Sequence, residues 1–560
     1  MDVEIRLSNA EIADRLAGLA QLLSTQKENP FKVKAYRRAA ARIRNLGESL
    51  DEMVRNDSDL TLFTGIGEGI ASAIREIVRT GALGKLEKLR EQVPAAVADL
   101  GAYPRLDPKR VLRIYKKLGI SSVEELKAQL ENGTIQNHFG ARMAQHVRLG
   151  VMESHAMLLY HAEDLCEALQ SYLIEKCGAQ RAEAAGEYRR RVETVQELVF
   201  VVDTDDFAHV VARMRRYGGR TPLLDSKADN AVFALSSGIR LRLQLAQKTN
   251  WGFHMMACTG SESHLRKLRE VTGPLEQLHP DSFADELALY STFGLAFIEP
   301  EVREGLDEVR QAQTGTLPQL ITLADFRGDL HTHTVASDGS NSIEAMAAAA
   351  QERGYEYVGI SDHSQSLKIA RGVSVEDLWQ QIRRIDRLNA RLRGFRILKS
   401  SEVDILADGS LDYPDDLLKE LDYTVCSVHS RFGLDREAQT ERIMRAMDNR
   451  YFNILGHATG RLLLKRPGYD VDMERIIEHA RQNGCFFEMN SSPDRLDLSA
   501  ENARRAATVG VMIAVSTDSH STPEFGSIRY GLDQARRAGL ENASVLNCQP
   551  WERLAKLFPR

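Results

Sequence analysis

The sequence predicts a multidomain chain: helical at its front, mixed α+β in its middle, and an α/β barrel at its C-terminal end. Three observations carry this. At 560 residues the chain exceeds what one apolar core serves, so three or more domains are expected. Residues 1–95 place their apolar side chains at helical spacing. From Gly328 onward short apolar runs alternate with helical patterns, the order of a parallel β/α barrel.

Composition removes several function classes. Hydrophobic content of 43% and charged content of 27% are ordinary for a soluble protein. No apolar run approaches the roughly 18 residues that span a bilayer, and no signal-peptide pattern opens the chain; a cytoplasmic monomer without membrane contact is expected. Six scattered cysteines, none in a CxxC pair, suggest neither a disulfide framework nor a thiolate zinc site. Net charge is −6, yet residues 1–150 hold 24 Lys+Arg against 19 Asp+Glu, and Lys27 to Arg44 sets seven cations against one acid. A basic front on an acidic body binds a polyanion locally, although a solvated helix face accounts for the same charges.

Taken in order, "SNAEIADRLAGLAQLLS" spaces Ile12, Leu16, Leu19 and Leu22–Leu23 on one helix face, with Ser8 or Asn9 as cap. A second helix follows Pro30 and carries Lys32, Lys34, Tyr36, Arg37, Arg38 and Arg42. In "FTGIGEGIASAIREIVRTG", Gly65, Gly67 and Gly69 form a turn opening a helix with Ile70, Ile74 and Ile77. Such a turn offers backbone N–H groups to a phosphate. The pattern hGhGxxhAxxI resembles a helix–hairpin–helix motif, which reads DNA backbone without base specificity; a plain turn between packed helices is the alternative. "PRLDPKRVLRIYKKLGI" and "IQNHFGARMAQHV" resemble eroded copies, with Arg105 and Asp107 where glycines are expected and only Gly140 kept. Residues 151–315 mix helices with the strand-like runs "ELVFVVDT", "AVFALSS" and "IRLRLQLA", which predict a mixed sheet, and a helix-rich linker leads to Gly328.

The barrel region carries the chemistry. In "RGDLHTHTVASDGS", His331 and His333 are two apart at a strand end, so both imidazoles face one side, with Asp338 following in a turn. Later strands end on His363, Glu402, His429, His457, and Asp518 with His520. Seven histidines follow residue 326 and six occupy these ends, where barrel active sites lie; satisfied core histidines would not concentrate so. Nine N/O donors without sulfur suit two or three divalent ions such as Mn²⁺, Zn²⁺ or Fe²⁺, and a multi-metal site suits phosphoester hydrolysis.

The order HxH, D, H, E, H, H, DxH closely resembles the PHP (polymerase and histidinol phosphatase) family. That resemblance implies one ion on His331, His333, Glu402 and Asp518. It implies a second on Glu402, His429 and His457, with Glu402 bridging, and a third on Asp338, His363 and His520. Lys368, Arg371 and Arg461 lie near ligands in sequence and are candidates to grip substrate phosphates. With "NPFKVKAYRRAA", "GEYRRRVETVQELVFVV" and "TGSESHLRKLR" added, nearly the whole chain resembles the bacterial family X DNA polymerases that carry a C-terminal PHP domain. The implied domains are an end-binding helical domain at 1–95 and a second helix–hairpin–helix domain at 96–150. A nucleotidyltransferase-like palm at 151–250, a thumb-like domain and linker at 251–318, and the PHP barrel at 326–560 follow.

The departures from that family bear on activity. Its palm has a Gly-Ser loop and three strand carboxylates that hold two Mg²⁺ ions. Here the loop is Gly186-Glu187, the carboxylate pair is Glu197 and Val199, and the third position is Arg242. The aromatic pair before "TGS" is Ala257-Cys258, and the Schiff-base lysine of some members is Ala73. Two-metal nucleotidyl transfer is therefore expected to fail, unless Asp203, Asp205 and Asp206 form an unorthodox site. Lys32 and Tyr36 match residues that grip a 5′-phosphate. The expected function is a metal-dependent 3′→5′ exonuclease or repair-associated 3′-end processor on gapped or 3′-ended DNA. Its competitors are a tolerant gap-filling polymerase, a non-catalytic DNA-end scaffold and a small-molecule phosphatase.

Overall fold

The computed structural model describes residues 6–25, 28–91, 106–151, 156–274 and 283–558. It divides into two compact units. One comprises Met1–Arg189 and Thr194–Phe297, the other Arg190–Glu193 and Ile298–Arg560.

In the first unit the N-terminal helices form where the spacing predicts them. Asn9–Thr25 and Pro30–Asn45 turn Ile12, Leu16, Leu19, Val33 and Ile43 into one core. Asn29 caps the second helix by accepting from the Phe31 N–H, and Pro30 sits where its missing donor costs nothing. Helix Pro108–Leu118, capped by Asp107, adds Val111 and Ile114 to the same core. The expected boundary at 95/96 lies outside the described residues, as do Lys27 and Arg105; the helices on either side share one apolar interior.

The predicted mixed sheet follows. Strands β1 (Met157–Leu158) and β3 (Thr194–Val195) pair separately. β2 (Arg181–Ala185), β4 (Glu197–Asp203), β5 (Leu223–Ser226), β6 (Asn230–Ala234) and β7 (Arg240–Ala246) form a sheet in the order β2-β4-β7-β6-β5. Only the central β4–β7 pair is parallel, and its register sets Val199 opposite Arg242.

The second unit is the predicted barrel, with an early start. The segment from Ile298, expected to be linker as far as residue 318, already belongs to this unit. Glu301 pairs with Arg536 at 2.7 Å and Glu304 with Arg537 at 2.8 Å, and Arg303 is fully buried with its Nε donating to the Ile298 carbonyl at 2.9 Å.

The parallel strands are β8 (Gly328–Thr332), β9 (Tyr357–Ile360), β10 (Arg396–Lys399), β11 (Glu402–Asp404), β12 (Val425–Ser427), β13 (Ile454–Leu455), β14 (Phe486–Asn490) and β15 (Ile513–Ser516). They form two arcs, β10-β9-β8 and β11-β12-β13-β14-β15. Single parallel bridges close the ring, Thr332 to Ser519 and His363 to Glu402. Because Ser400 donates to Ile360 and Glu402 to Ser361, β10 and β11 continue one another along β9, giving a barrel of seven staves. Both faces of the strands are buried, as a parallel sheet requires.

One residue from each stave forms an apolar floor: Leu330, Tyr357, Leu398, Val425, Ile454, Phe486 and Ala514. Leu554 and Phe558 from the end of the chain pack into the same cluster. The polar ligands therefore sit above a sealed base, at the C-terminal strand ends. No helix among the described residues is long and apolar enough to cross a membrane.

Gly359 leaves room for the buried Tyr423 hydroxyl, which donates to the Leu330 carbonyl at 2.5 Å. A Cβ at position 359 would run into that hydroxyl. Gly359→Ala is expected to destabilise the barrel by about 1–3 kcal/mol in urea unfolding, whereas Gly433→Ala, which meets open space, leaves the midpoint unchanged.

Candidate metal centre

All nine predicted donors converge, and the backbone explains how. The register of β8 against β9 shifts between Asp329 and Thr332, a local irregularity that re-aims side chains beside a site. His331 and His333, two apart, face one side as their spacing predicts, and their Nε2 atoms come within 3.1 Å. His457 (φ 27°) and Asp518 (φ 55°) both adopt the left-handed region, a cost that surrounding contacts must offset. The His457 N–H donates to Glu488 at 2.8 Å, and Asn490 donates to the Asp518 carboxylate at 3.0 Å.

Glu402 is the centre. Its Oε2 lies 2.7 Å from His363 Nδ1, 3.5 Å from His331 Nε2 and 3.7 Å from His333 Nε2. Its Oε1 lies 2.9 Å from His457 Nε2 and 3.3 Å from His429 Nε2. Beside it, Asp518 Oδ1 lies 3.0 Å from His333 Nε2, and Asp338 Oδ1 lies 3.2 Å from His520 and 3.5 Å from His363. Three groups of donors result: His331, His333 and Asp518; His363, Glu402 and His429; and His333, Asp338, His363 and His520. The first holds three of the four residues implied for the first ion, without Glu402. The others differ from the implied partition, because His363 faces Glu402 with Nδ1 and Asp338 with Nε2, and so stands between two groups.

His333 Nδ1, His363 Nδ1, His457 Nδ1 and Glu402 Oε2 make no aligned hydrogen bond. Lone pairs that converge in a buried space are costly unless a cation lies among them. Imidazole and carboxylate donors without sulfur suit Mn²⁺, Zn²⁺ or Fe²⁺, so the residues fit a divalent cluster.

The electrostatics fit equally. Burial works against charge on His331, but Glu488, Asp518 and Glu402 outweigh it and hold its pKa well above the ordinary value. For His429 the same contest, won by Glu402 and Asp404, ends at about 10. His333 goes the other way, to about 4, through burial and the neighbouring His363. Burial opposes ionisation of Glu402, yet the surrounding histidines keep it well below the carboxylate range.

Sequence reasoning missed a supporting layer of acids. Glu488 accepts from or pairs with His331 Nδ1 at 2.7 Å, and Asp404 meets His429 Nδ1 at 2.6 Å. Such partners fix which ring nitrogen faces a metal. Asp329 binds Thr517 Oγ1 at 2.6 Å, and Asp362 accepts from Thr334, Ser337 and Gln381. The available signal was period two: Asp329 precedes His331, and Asp404 follows Glu402, by two residues.

The cations divide. Lys368 and Arg371 are exposed on a loop after His363. Arg461 is engaged: its guanidinium donates to the Arg495 and Leu496 carbonyls and to Glu193 at 2.6 Å, which leaves it poorly placed to grip a phosphate.

At the positions expected to hold the polymerase metals, the side chains are committed elsewhere. Val199 is buried with Ala185, Val201, Trp251 and Met255. Arg242 donates to Glu197 at 3.1 Å, and Glu187 accepts from the Gln196 N–H at 2.6 Å. Asp203 ends β4, Asp205 accepts from Gln180 and Asp206 caps helix Phe207–Met214; among the described residues these acids do not gather into a donor group.

At the front, Gly65 (φ 88°) and Gly67 flank the buried Ile66, and Gly67 precedes helix Glu68–Thr80; Gly69 lies in that helix's first turn. Lys34 and Arg37 are exposed, Lys32 and Tyr36 partly buried, and Ala73 buried.

A helix-hairpin-helix domain model matches residues 7–83 and a PHP domain model residues 329–492. The chain is 33% identical to the DNA polymerase/3′-5′ exonuclease PolX of Bacillus subtilis (strain 168), covering 96% of this chain and 97% of that one. Probable phosphatases of Thermoanaerobacter sp. (32% identical, 39% of this chain, 89% of theirs) and Acetivibrio thermocellus (30%, 36% and 82%) are also similar.

Glu402 touches more donors than any other ligand. Glu402→Gln is expected to remove at least about one equivalent of bound divalent metal per chain, measured by plasma mass spectrometry after gel filtration. Chelation of the wild type is expected to lower its unfolding temperature, since ligands that bind only the folded state stabilise it.

Proposed function

Because the chain belongs to the family X DNA polymerase/3′-5′ exonucleases of bacteria that carry a PHP domain, we propose that it is a DNA-binding, divalent-metal-dependent phosphodiesterase that trims 3′ ends. In this reading its palm is a scaffold without nucleotidyl transfer. The observation that carries it is a contrast within one chain. Nine donors, Glu402 at their centre, gather at the barrel mouth, while the positions expected to hold the palm's metals carry Val199 in an apolar cluster and Arg242 paired with Glu197.

Two or three divalent ions held by the nine donors would supply Lewis-acid charge for the phosphate and acidify a water nucleophile. The residues do the rest. Glu402 holds the donor groups together, and Glu488 and Asp404 orient His331 and His429. Lys368 and Arg371 are free to bind flanking phosphates. The hairpin glycines Gly65, Gly67 and Gly69, with Lys32, Lys34, Tyr36 and Arg37, would hold the DNA backbone without reading bases. The domain limits 1–95, 96–150, 151–250, 251–318 and 326–560 belong to this proposal, the linker part of 251–318 packing with the barrel unit. So do a monomeric state, a cytoplasmic location, gapped or 3′-ended DNA as substrate and Mn²⁺ or Zn²⁺ as the metal.

A second reading, a phosphomonoesterase acting on small molecules, is favoured by the similar probable phosphatases. It leaves the helix-hairpin-helix region without a role.

A 5′-labelled primer on a longer template with Mn²⁺ separates the readings. The primer is expected to shorten equally with and without deoxynucleotides. His333→Ala is expected to abolish shortening while DNA binding persists. Nucleotide-dependent lengthening would overturn the scaffold reading of the palm.

A further inference from the structure

The loop 365–372 leaves the barrel directly after the ligand His363 and returns beside it. The Val373 N–H donates to the His363 carbonyl at 2.8 Å, and Ser364 donates to the Glu402 carbonyl at 2.9 Å. The loop is fixed along its length. Ser366 N–H donates to Asp412 at 2.7 Å, Gln365 to the Asp412 carbonyl at 3.0 Å, and Gly372 to the Leu367 carbonyl at 3.1 Å. Gly372 passes so close to the Ser364 carbonyl that a Cβ would collide with it. Ala370 is buried, and Arg371 sits at φ 56°.

This pinned loop pushes Ile369 outward. At 94% exposure it is more open than any other large apolar residue among the described ones. Lys368 and Arg371, on either side, are exposed and carry no ion pair or side-chain hydrogen bond among the described residues. An apolar tip between two unneutralised cations is complementary to a single nucleic-acid strand, which offers a base face between two phosphates. Rigidity matters here, because a pre-ordered tip loses little freedom on binding.

We propose that loop 365–372 grips the single-stranded 3′ end: Ile369 packs against a base, and Lys368 and Arg371 pair with the adjoining phosphates. This rests on the phosphodiesterase reading of the metal centre and adds the feature that selects a polymeric substrate over a small ester.

The test uses the full-length, metal-loaded protein with a 5′-labelled single-stranded oligonucleotide and, separately, bis(p-nitrophenyl) phosphate. Ile369→Ala is expected to raise KM for the oligonucleotide about five- to tenfold, with Ile369→Phe restoring it. Hydrolysis of the small ester, which has no base to pack, keeps its rate in Ile369→Ala. The double variant Lys368→Ala/Arg371→Ala is expected to reduce the salt dependence of log KM by about 1 to 1.5, the contribution of two phosphates on a single strand. An unchanged oligonucleotide KM in Ile369→Ala, with wild-type trimming intact, overturns this proposal alone. A wild type that cleaves the small ester but no oligonucleotide overturns the exonuclease reading and this inference with it.

Discussion

The second unit depends on one buried carboxylate. Glu402 is sealed from solvent and has five imidazoles around its two oxygens. A lone carboxylate in that position would be driven to its neutral form by burial; here the histidines keep it ionised. The dependence runs both ways, since Glu402 also helps hold His331 and His429 above the ordinary imidazole pKa. The donors form one electrostatic unit, and the barrel is the frame that brings them together from β8 to β15. Its apolar floor, closed by Leu554 and Phe558, lets so polar a group occupy one end while the other end supplies packing.

Much of this was legible from the chain. Strand-then-helix order and polar residues at strand ends gave the barrel and all nine donors, because both depend on local pattern. Asp404 and Glu488 were harder. Each reads as one more acid in an apolar run, and only the folded register brings Asp404 to His429 and Glu488 to His331 and the His457 N–H. The shift at β8 was illegible for a related reason: "DLHTH" alternates perfectly in sequence, and the irregularity appears only where β8 meets β9. Arg461 stands near His457 in sequence, but its guanidinium is consumed by carbonyls the sequence does not reveal.

In the sheet of the first unit, register teaches the opposite lesson. Val199 and Arg242 face one another on the parallel β4–β7 pair. Had either been a carboxylate, the other would still lie within reach of the same space. With Val199 and Arg242 there, that space holds packing on one side and an ion pair on the other. The ion pair forms with Glu197, two residues before Val199 on β4.

These two centres also differ in what a substitution costs the fold. The Glu197 and Arg242 side chains are about one-third exposed, at 35% and 34%, so water screens them and a change there is worth little stability. Glu402, His331 and His333 are at most 1% exposed. Removing one member of a buried charged group leaves its partners unpaired, at about 3–5 kcal/mol. A change at Glu197 or Arg242 is therefore expected to leave the sheet standing, whereas one at Glu402, His331 or His333 costs the barrel stability. Burial thus separates the converging donors at the barrel mouth, where a change is costly, from the Glu197–Arg242 pair, where it is not.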